Sequence, residues 1–324
     1  MGYDKSIIGS ILVPILILLV STNYIMPCEA HLSTTFYDDT CPNALETIRS
    51  SVSATVSSNR RMAALIIRLL FHDCFVQGCD ASLLLDGSAS EKNAAANNGV
   101  IGFEAIDDAK AAVESVCPGV VSCADILAVA ARDASVQVGG PSWTVRLGRR
   151  DSLAPASATL ANTNLPRGTN NLSQLIDSFD RQGLSVRDMV ALSGSHTIGQ
   201  ARCVTFRARI YDNTSNIDAA FASNLRSNCP QTAPNGNNNL EPLDLRTPNK
   251  FDNHYFKNLV QSKGLLTSDQ VLFNGDSTDS IVTEYVDNPS LFDCDFGAAM
   301  VRMSEIDVVT GTSGTIRTLC RNAN

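Results

Sequence analysis

The stretch Arg68-Leu-Leu-Phe-His-Asp-Cys-Phe-Val-Gln-Gly-Cys-Asp-Ala-Ser82 constrains this chain more than any other. The apolar run from Met62 to Phe71 predicts a helix, which places Arg68 and His72 at i and i+4, on one face and one above the other. A fixed cation then stands beside a titratable imidazole, and an enzyme becomes the leading reading. Immediately afterwards Cys74 and Cys79 can close a small loop that crowds the oxygens of Asp73, Asp80 and Ser82 together with the carbonyls around Val76 and Gly78. Hard oxygen ligands in that number suit Ca²⁺.

The N-terminus says where such a chain goes. Residues 1–30 read as a secretory signal: Lys5, an apolar core from Ile7 to Val20, then small and polar residues ending at Glu29-Ala30. That core is short of the roughly 20 residues a membrane span needs, and no comparable segment follows. The expectation is an exported mature chain over residues 31–324, outside the membrane. Ten cysteines in an exported chain are read as disulfides before metal or redox ligands, because the destination is oxidising. Once Cys28 leaves with the signal an odd number remains, so at least one thiol is unpaired; spacing alone leaves the pairing open. Asn171-Leu-Ser173 and Asn213-Thr-Ser215 are glycosylation sequons, whereas proline excludes Asn288-Pro-Ser290. A net charge of −8 argues against a nucleic-acid partner. No repeat and no interface pattern stands out, so a monomer is expected.

Apolar residues recur at helical spacing in most segments: Leu45, Ile48, Val52 and Val56; Phe103, Ile106, Val113 and Val116; Leu172, Leu175, Ile176 and Phe179. The fold is therefore expected to be mostly α. Ser122 with Asp125 and Ser185 with Asp188 have capping-box form and mark helix starts, while Gly139-Gly140, Gly183 and Gly264 mark stops. Further helices are expected over Asn253 to Lys263, Thr278 to Val286 and Asp295 to Met303. Trp143 to Leu147 is the best candidate strand, and Thr232 to Asn239 reads as an exposed loop.

Beyond His31, the mature chain contains only His72, His196 and His254. His196 ends an amphipathic helix, where a ring nitrogen can bind a metal and Thr197 can offer oxygens to a cation. A histidine in such a place is otherwise a core residue, and His254 reads as structural or exposed. Zinc fails on spacing, since no His-x-x-x-His or paired Cys-x-x-Cys accompanies these residues. A buried haem needs only one imidazole on iron and a polar opposite face. A second oxygen-rich run, Leu243 to Asp252, gathers Asp244, Thr247 and Asp252 around the carbonyl of Lys250.

Several long motifs in order resemble the secretory plant peroxidases, the class III haem peroxidases. They are Arg68 to Ser82, Glu91-Lys92 with Asn97, Val121 to Asp125, Pro141 to Asp151, Leu192 to Gly199, Asp244 to Asn253, Ser268-Asp-Gln270 and Phe296 to Met300. The resemblance spans essentially all of the mature chain. It implies a two-lobed helical fold with minimal β structure enclosing one haem b, with a distal lobe at about 31–168 plus 304–324 and a proximal lobe at about 169–303.

Carried over residue by residue, the resemblance makes His196 the proximal iron ligand and Asp269 the carboxylate accepting its other N–H. His72 becomes the distal base, Arg68 the stabiliser of charge during O–O cleavage, Asn97 the acceptor that fixes the His72 tautomer, and Phe71 a wall of the distal pocket. Asp73, Val76, Gly78, Asp80 and Ser82, with Glu91 through water, would hold one Ca²⁺; Thr197, Asp244, Thr247, Lys250 and Asp252 would hold a second. The implied disulfides are Cys41 with Cys117, Cys74 with Cys79, Cys123 with Cys320, and Cys203 with Cys229. Cys294 is left over and is expected to be a buried, inert thiol. Asp125 and Arg149 are expected to form a buried structural ion pair.

The implied activity is reduction of H₂O₂ to water with one-electron oxidation of phenolic donors, in the apoplast or cell wall. A non-catalytic extracellular Ca²⁺-binding interaction module on the same fold is the alternative. The family's Leu-Pro-x-Pro substrate edge stands here as Leu165-Pro-Arg-Gly168. Pro166 is kept as a donor contact, and Arg167 points toward anionic phenolics.

Overall fold

The structure is a computed structural model that describes Met1 and residues 31–323. The expected signal segment lies outside the described residues. Helices dominate, as the spacing predicts. The one sheet among the described residues has two short antiparallel strands, Gln200–Arg202 and Leu240–Pro242, in register Gln200↔Pro242.

The helix Met62–Gln77 runs through the centre of the first half of the chain. Of its sixteen residues only Ala64, Arg68, Phe71 and Gln77 escape full burial. A helix apolar on nearly every side must be surrounded, and this one packs on Cys123–Gln137, which packs in turn on Ala44–Ser58. Ala124, Ala128, Ala130, Ala131 and Ala134 in Cys123–Gln137 are all buried, and their small side chains let neighbouring helices approach closely. In the second half, Val186–Ser193 packs on Pro289–Met303, and His254–Val260 on Asp279–Asp287. Between them lies an aromatic cluster in which Phe251 and Phe292 stack at 5.3 Å and Phe256 meets Phe292 edge-on at 4.9 Å. Gly194 is obligatory there, because a Cβ on it would lie 2.4 Å from the Phe292 ring.

A satellite core of Cys203, Phe206, Ile210, Phe221, Leu225 and Leu243 forms around the Cys203–Cys229 disulfide. The other disulfides join Cys41 to Cys117, Cys74 to Cys79 and Cys123 to Cys320, the same pairs the family pattern implies. The last of these, with the Asp151–Thr315 bridge, ties the C-terminal segment back onto the first half of the chain. Asp125 and Arg149 are fully buried and bonded at 2.8 Å. Asp125 also accepts from the Tyr37 hydroxyl at 2.8 Å and the Gly148 amide at 2.7 Å.

Four sequence expectations change. Trp143–Leu147 is not a strand: among the described residues it pairs only through an isolated Ser33–Leu147 bridge, and one bridge does not make a ladder. Ser185 and Asp188 form the full reciprocal capping box, but at Ser122 only half forms. There the Asp125 carboxylate is drawn away to Arg149, Tyr37 and Gly148. The helix expected to begin at Asp295 begins at Pro289, capped by Asn288. Cys294 is exposed rather than buried. Its helix turns Phe292, Phe296, Ala299, Met300 and Met303 inward, and Cys294 falls on the outer face.

Candidate functional site

The three least buried residues of Met62–Gln77 before its last turn, Ala64, Arg68 and Phe71, recur at i, i+4 and i+7 and so form one stripe. That stripe approaches the segment just after His196: a Cβ added to Gly199 would sit 2.9 Å from the Ala64 Cβ. The central helix therefore presents Arg68 toward the element that carries His196.

His72 is 5% exposed and held on both ring nitrogens. Its Nδ1 lies 2.6 Å from Asn97 Oδ1, and Arg68 Nε lies 3.0 Å from its Nε2. The Asn97 amide donates to the Glu91 carbonyl at 2.9 Å, so its oxygen must face the ring and His72 carries its proton on Nδ1. Nε2 is left with the basic lone pair. Burial, then the Arg68 charge, lowers the His72 pKa to about 3, with the Asn97 bond acting the other way. Arg68 is solvent-accessible, yet the protein around it and the nearby Arg202 charge bring its pKa down to about 10, which leaves it cationic at neutral pH. Phe71 lies edge-on to His72 at 5.5 Å and against Phe75 at 4.3 Å.

His196 sits in the short 3₁₀ turn Gly194–Thr197 that follows Val186–Ser193. Its Nδ1 is 2.7 Å from Asp269 Oδ1, and no hydrogen bond engages its Nε2 among the described residues. Asp269 is 1% exposed and its Oδ2 accepts the Leu266 amide at 2.8 Å. An imidazole with one nitrogen tied to a buried carboxylate and the other free is the donor expected of a haem-iron ligand. The residues fit that group. Tyr255 also donates to Asp269, at 3.1 Å, a partner the sequence did not reveal.

Asp73, Ser82 and Glu91 are fully buried and Asp80 is nearly so. Asp73 accepts the Ala81 and Leu83 amides at 2.9 and 3.2 Å, Asp80 accepts the Ser82 amide at 2.9 Å, and Ser82 donates to Glu91 Oε1 at 3.0 Å. The Gly78 carbonyl accepts the Asp80 amide at 3.0 Å and that of Val76 the Asn164 amide at 2.7 Å. Burial first, then Asp80 and Glu91, pushes the Asp73 carboxyl well up; burial pushes Glu91 up to about 7. Glu91 Oε2 is buried without a partner. Three carboxylates crowded this way, with an orphaned oxygen among them, fit a hard divalent cation.

Thr247 Oγ1 donates within 3.1 Å of both Asp244 and Asp252, and Thr197 Oγ1 lies 3.4 Å from each. The Lys250 ammonium lies 3.8 Å from Asp252 Oδ2, and its amide bonds back to the Thr247 carbonyl at 2.9 Å. His254, read as structural or exposed, is half-buried with its Nδ1 2.9 Å from Asp252, beside this cluster. Nothing in the sequence announced it, because the contact forms only as the chain turns into the helix His254–Val260.

Pro166 is half-buried and Arg167 exposed, and their segment is pinned beside Asp269 by the Ser268 amide bonding to the Gly168 carbonyl at 3.0 Å. Asn171 and Asn213 are both exposed, Asn171 as the cap of the helix Leu172–Asp180.

A family model described as Peroxidase matches residues 48–288. A basic peroxidase of Zinnia elegans is 67% identical over 323 residues, covering 99% of each chain. The lignin-forming anionic peroxidase of Nicotiana sylvestris is 63% identical over 303 residues, covering 92% of this chain and 93% of its own. Peroxidase P7 of Brassica rapa subsp. rapa is 58% identical over 297 residues, covering 90% of this chain and all of its own.

Proposed function

Since the chain belongs to the class III plant peroxidases and is a haem peroxidase, we propose that it works in the cell wall, reducing H₂O₂ while drawing single electrons from small phenols. The reaction balances as one H₂O₂ and two phenols giving two waters and two phenoxyl radicals. The observation that carries the site assignment is the placement of the Arg68 stripe opposite the His196 segment, with each imidazole oriented by its own oxygen acceptor.

His196 Nε2 would hold the haem, which would supply the redox-active iron. The rest is the work of this chain. His72 Nε2 accepts a proton from the near oxygen of peroxide and returns it to the departing oxygen. Arg68 stabilises the negative charge that develops as the O–O bond breaks. Asn97 keeps the Nδ1–H tautomer of His72, and Phe71 walls the pocket beside it. Asp269 orients His196 and gives it anionic character.

The two oxygen clusters would each hold one Ca²⁺: Asp73, Val76, Gly78, Asp80, Ser82 and Glu91 one, and Thr197, Asp244, Thr247, Lys250 and Asp252 the other. The reading extends to a monomer of two lobes (31–168 plus 304–324, and 169–303), glycosylated at Asn171 and Asn213 and exported by residues 1–30. Four disulfides suit an oxidising compartment. The name of the Nicotiana relative and the acidic balance of this chain support aromatic alcohols polymerised into lignin as donors. Pro166 would contact them, and the exposed Arg167 would favour carboxylated phenols. The alternative of a non-catalytic Ca²⁺-binding module finds no support, since the relatives are named as peroxidases and the chain keeps Arg68, His72, Asn97 and His196.

The test is the absorption spectrum of the haem-loaded protein before and after one equivalent of H₂O₂, then after a phenol. A Soret band that shifts and returns supports the reading. A band that ignores peroxide, or no band after reconstitution, overturns it.

A further inference from the structure

Asp269 presents one carboxylate oxygen, Oδ1, to two side chains at once. His196 Nδ1 lies 2.7 Å from it and the Tyr255 hydroxyl 3.1 Å, while the second oxygen is committed to the Leu266 amide. Tyr255 is 1% exposed, and Asp269 is the one hydrogen-bond partner its hydroxyl has among the described residues. Its ring is fixed edge-on to His196 at 6.1 Å and to Phe256 at 5.0 Å. The buried guanidinium of Arg209 feels Asp269 only through space, since its own hydrogen bonds go to the carbonyls of Asn216 and Gly264. Among the described residues the Tyr255 hydroxyl is therefore the only side chain that competes with His196 for the carboxylate.

A carboxylate oxygen that accepts two hydrogen bonds shares its charge between them, and each bond is weaker than it would be alone. We propose that Tyr255 is a positioning residue for the proximal pair: its hydroxyl shares the Asp269 oxygen that holds His196 and so limits the negative character the imidazole acquires. The inference rests on the reading of His196 as the haem ligand. Its consequence is electronic. A more anionic imidazole binds iron more tightly and favours the ferric state, so Tyr255 holds the reduction potential above the value the His196–Asp269 pair alone would set.

Tyr255→Phe removes the hydroxyl and keeps the ring in its packing. Resonance Raman of the ferrous haem protein should show the iron–histidine stretch moved to higher frequency. Spectroelectrochemistry should show the ferric–ferrous equilibrium constant shifted threefold to tenfold toward ferric, ~30–60 mV for one electron. Fluorotyrosine placed at 255, a stronger donor of the same shape, should move both readouts the opposite way, and it covers the case in which Tyr255→Phe does not fold. Unchanged stretch and potential in haem-loaded protein would overturn the inference while leaving the peroxidase reading intact. A wild-type protein whose iron–histidine stretch is absent would overturn both.

Discussion

Replacing Asn97 by alanine is expected to slow the reaction with peroxide and leave the later oxidation of phenols unchanged. Asn97 accepts the His72 Nδ1–H at 2.6 Å, and His72 is only 5% exposed, so the bond is shielded from bulk solvent. During proton transfer the ring becomes an imidazolium, and the bond strengthens from a neutral one worth about 0.5–1.5 kcal/mol to a charged one worth about 1.5–3 kcal/mol. Only the difference counts toward rate, because the part present before transfer stabilises both states. A difference of about 1–2 kcal/mol corresponds to roughly a 5–30-fold fall in the second-order rate constant for peroxide. The same bond opposes the lowering of the His72 pKa, so the acid limb of the rate profile should move to still lower pH in Asn97→Ala. Stopped-flow absorbance at the Soret band against H₂O₂ concentration and pH measures both quantities, with a thermal melt to verify folding. A rate constant within twofold of wild type in a folded Asn97→Ala protein, or an acid limb that moves upward, would refute the reasoning.

Three further outcomes are expected. Arg149→Met leaves Asp125 charged at a position with no exposure and should cost about 3–5 kcal/mol in chemical denaturation; a loss under about 1 kcal/mol would count against the pair as a structural tie. Stripping divalent cations should make stability depend on pH in an unusual sense. Glu91 is raised from its ordinary 4.5 to about 7, so the folded chain holds the extra proton, and stability should fall as pH rises across that interval by ~3 kcal/mol, with added Ca²⁺ restoring it. Buried His72, lowered to about 3, contributes in the opposite sense over the same range, so melting curves of the chelated wild type and Glu91→Gln at pH 5 and pH 8 isolate the Glu91 part, and an identical pH dependence in the two proteins would sink it. Finally, an aromatic disulfide reagent should titrate a single thiol in native protein, at the exposed Cys294, without loss of peroxidase activity; no reaction before unfolding would show the thiol to be shielded.

Much of the site was legible along the chain because its parts are local. Arg68 and His72 share a helical face by spacing alone, and the Arg68–Ser82 stretch delivers them together with Asp73, Asp80 and Ser82. The capping box at Ser185 was readable for the same reason, whereas the one at Ser122 was not, since its second half lost Asp125 to Arg149, a residue 24 positions away. Trp143–Leu147 shows the converse. Its alternation satisfied the local pattern for a strand, but a strand needs a neighbour, and the fold supplies only Ser33.

The sequence by itself determined the helical class and the helix carrying Arg68 and His72, because spacing fixes which residues share a face. It also determined, through motif order, the family and the residues to watch. Tertiary structure alone decided which oxygen each imidazole meets: Asn97 turns its oxygen to His72 because its amide is held by the Glu91 carbonyl. It likewise decided that Tyr255 and His196 converge on one oxygen of Asp269 and that Cys294 faces outward. Hydrogen bonds are directional and short, so their pairing depends on where distant segments come to rest, and no spacing rule along a chain encodes that.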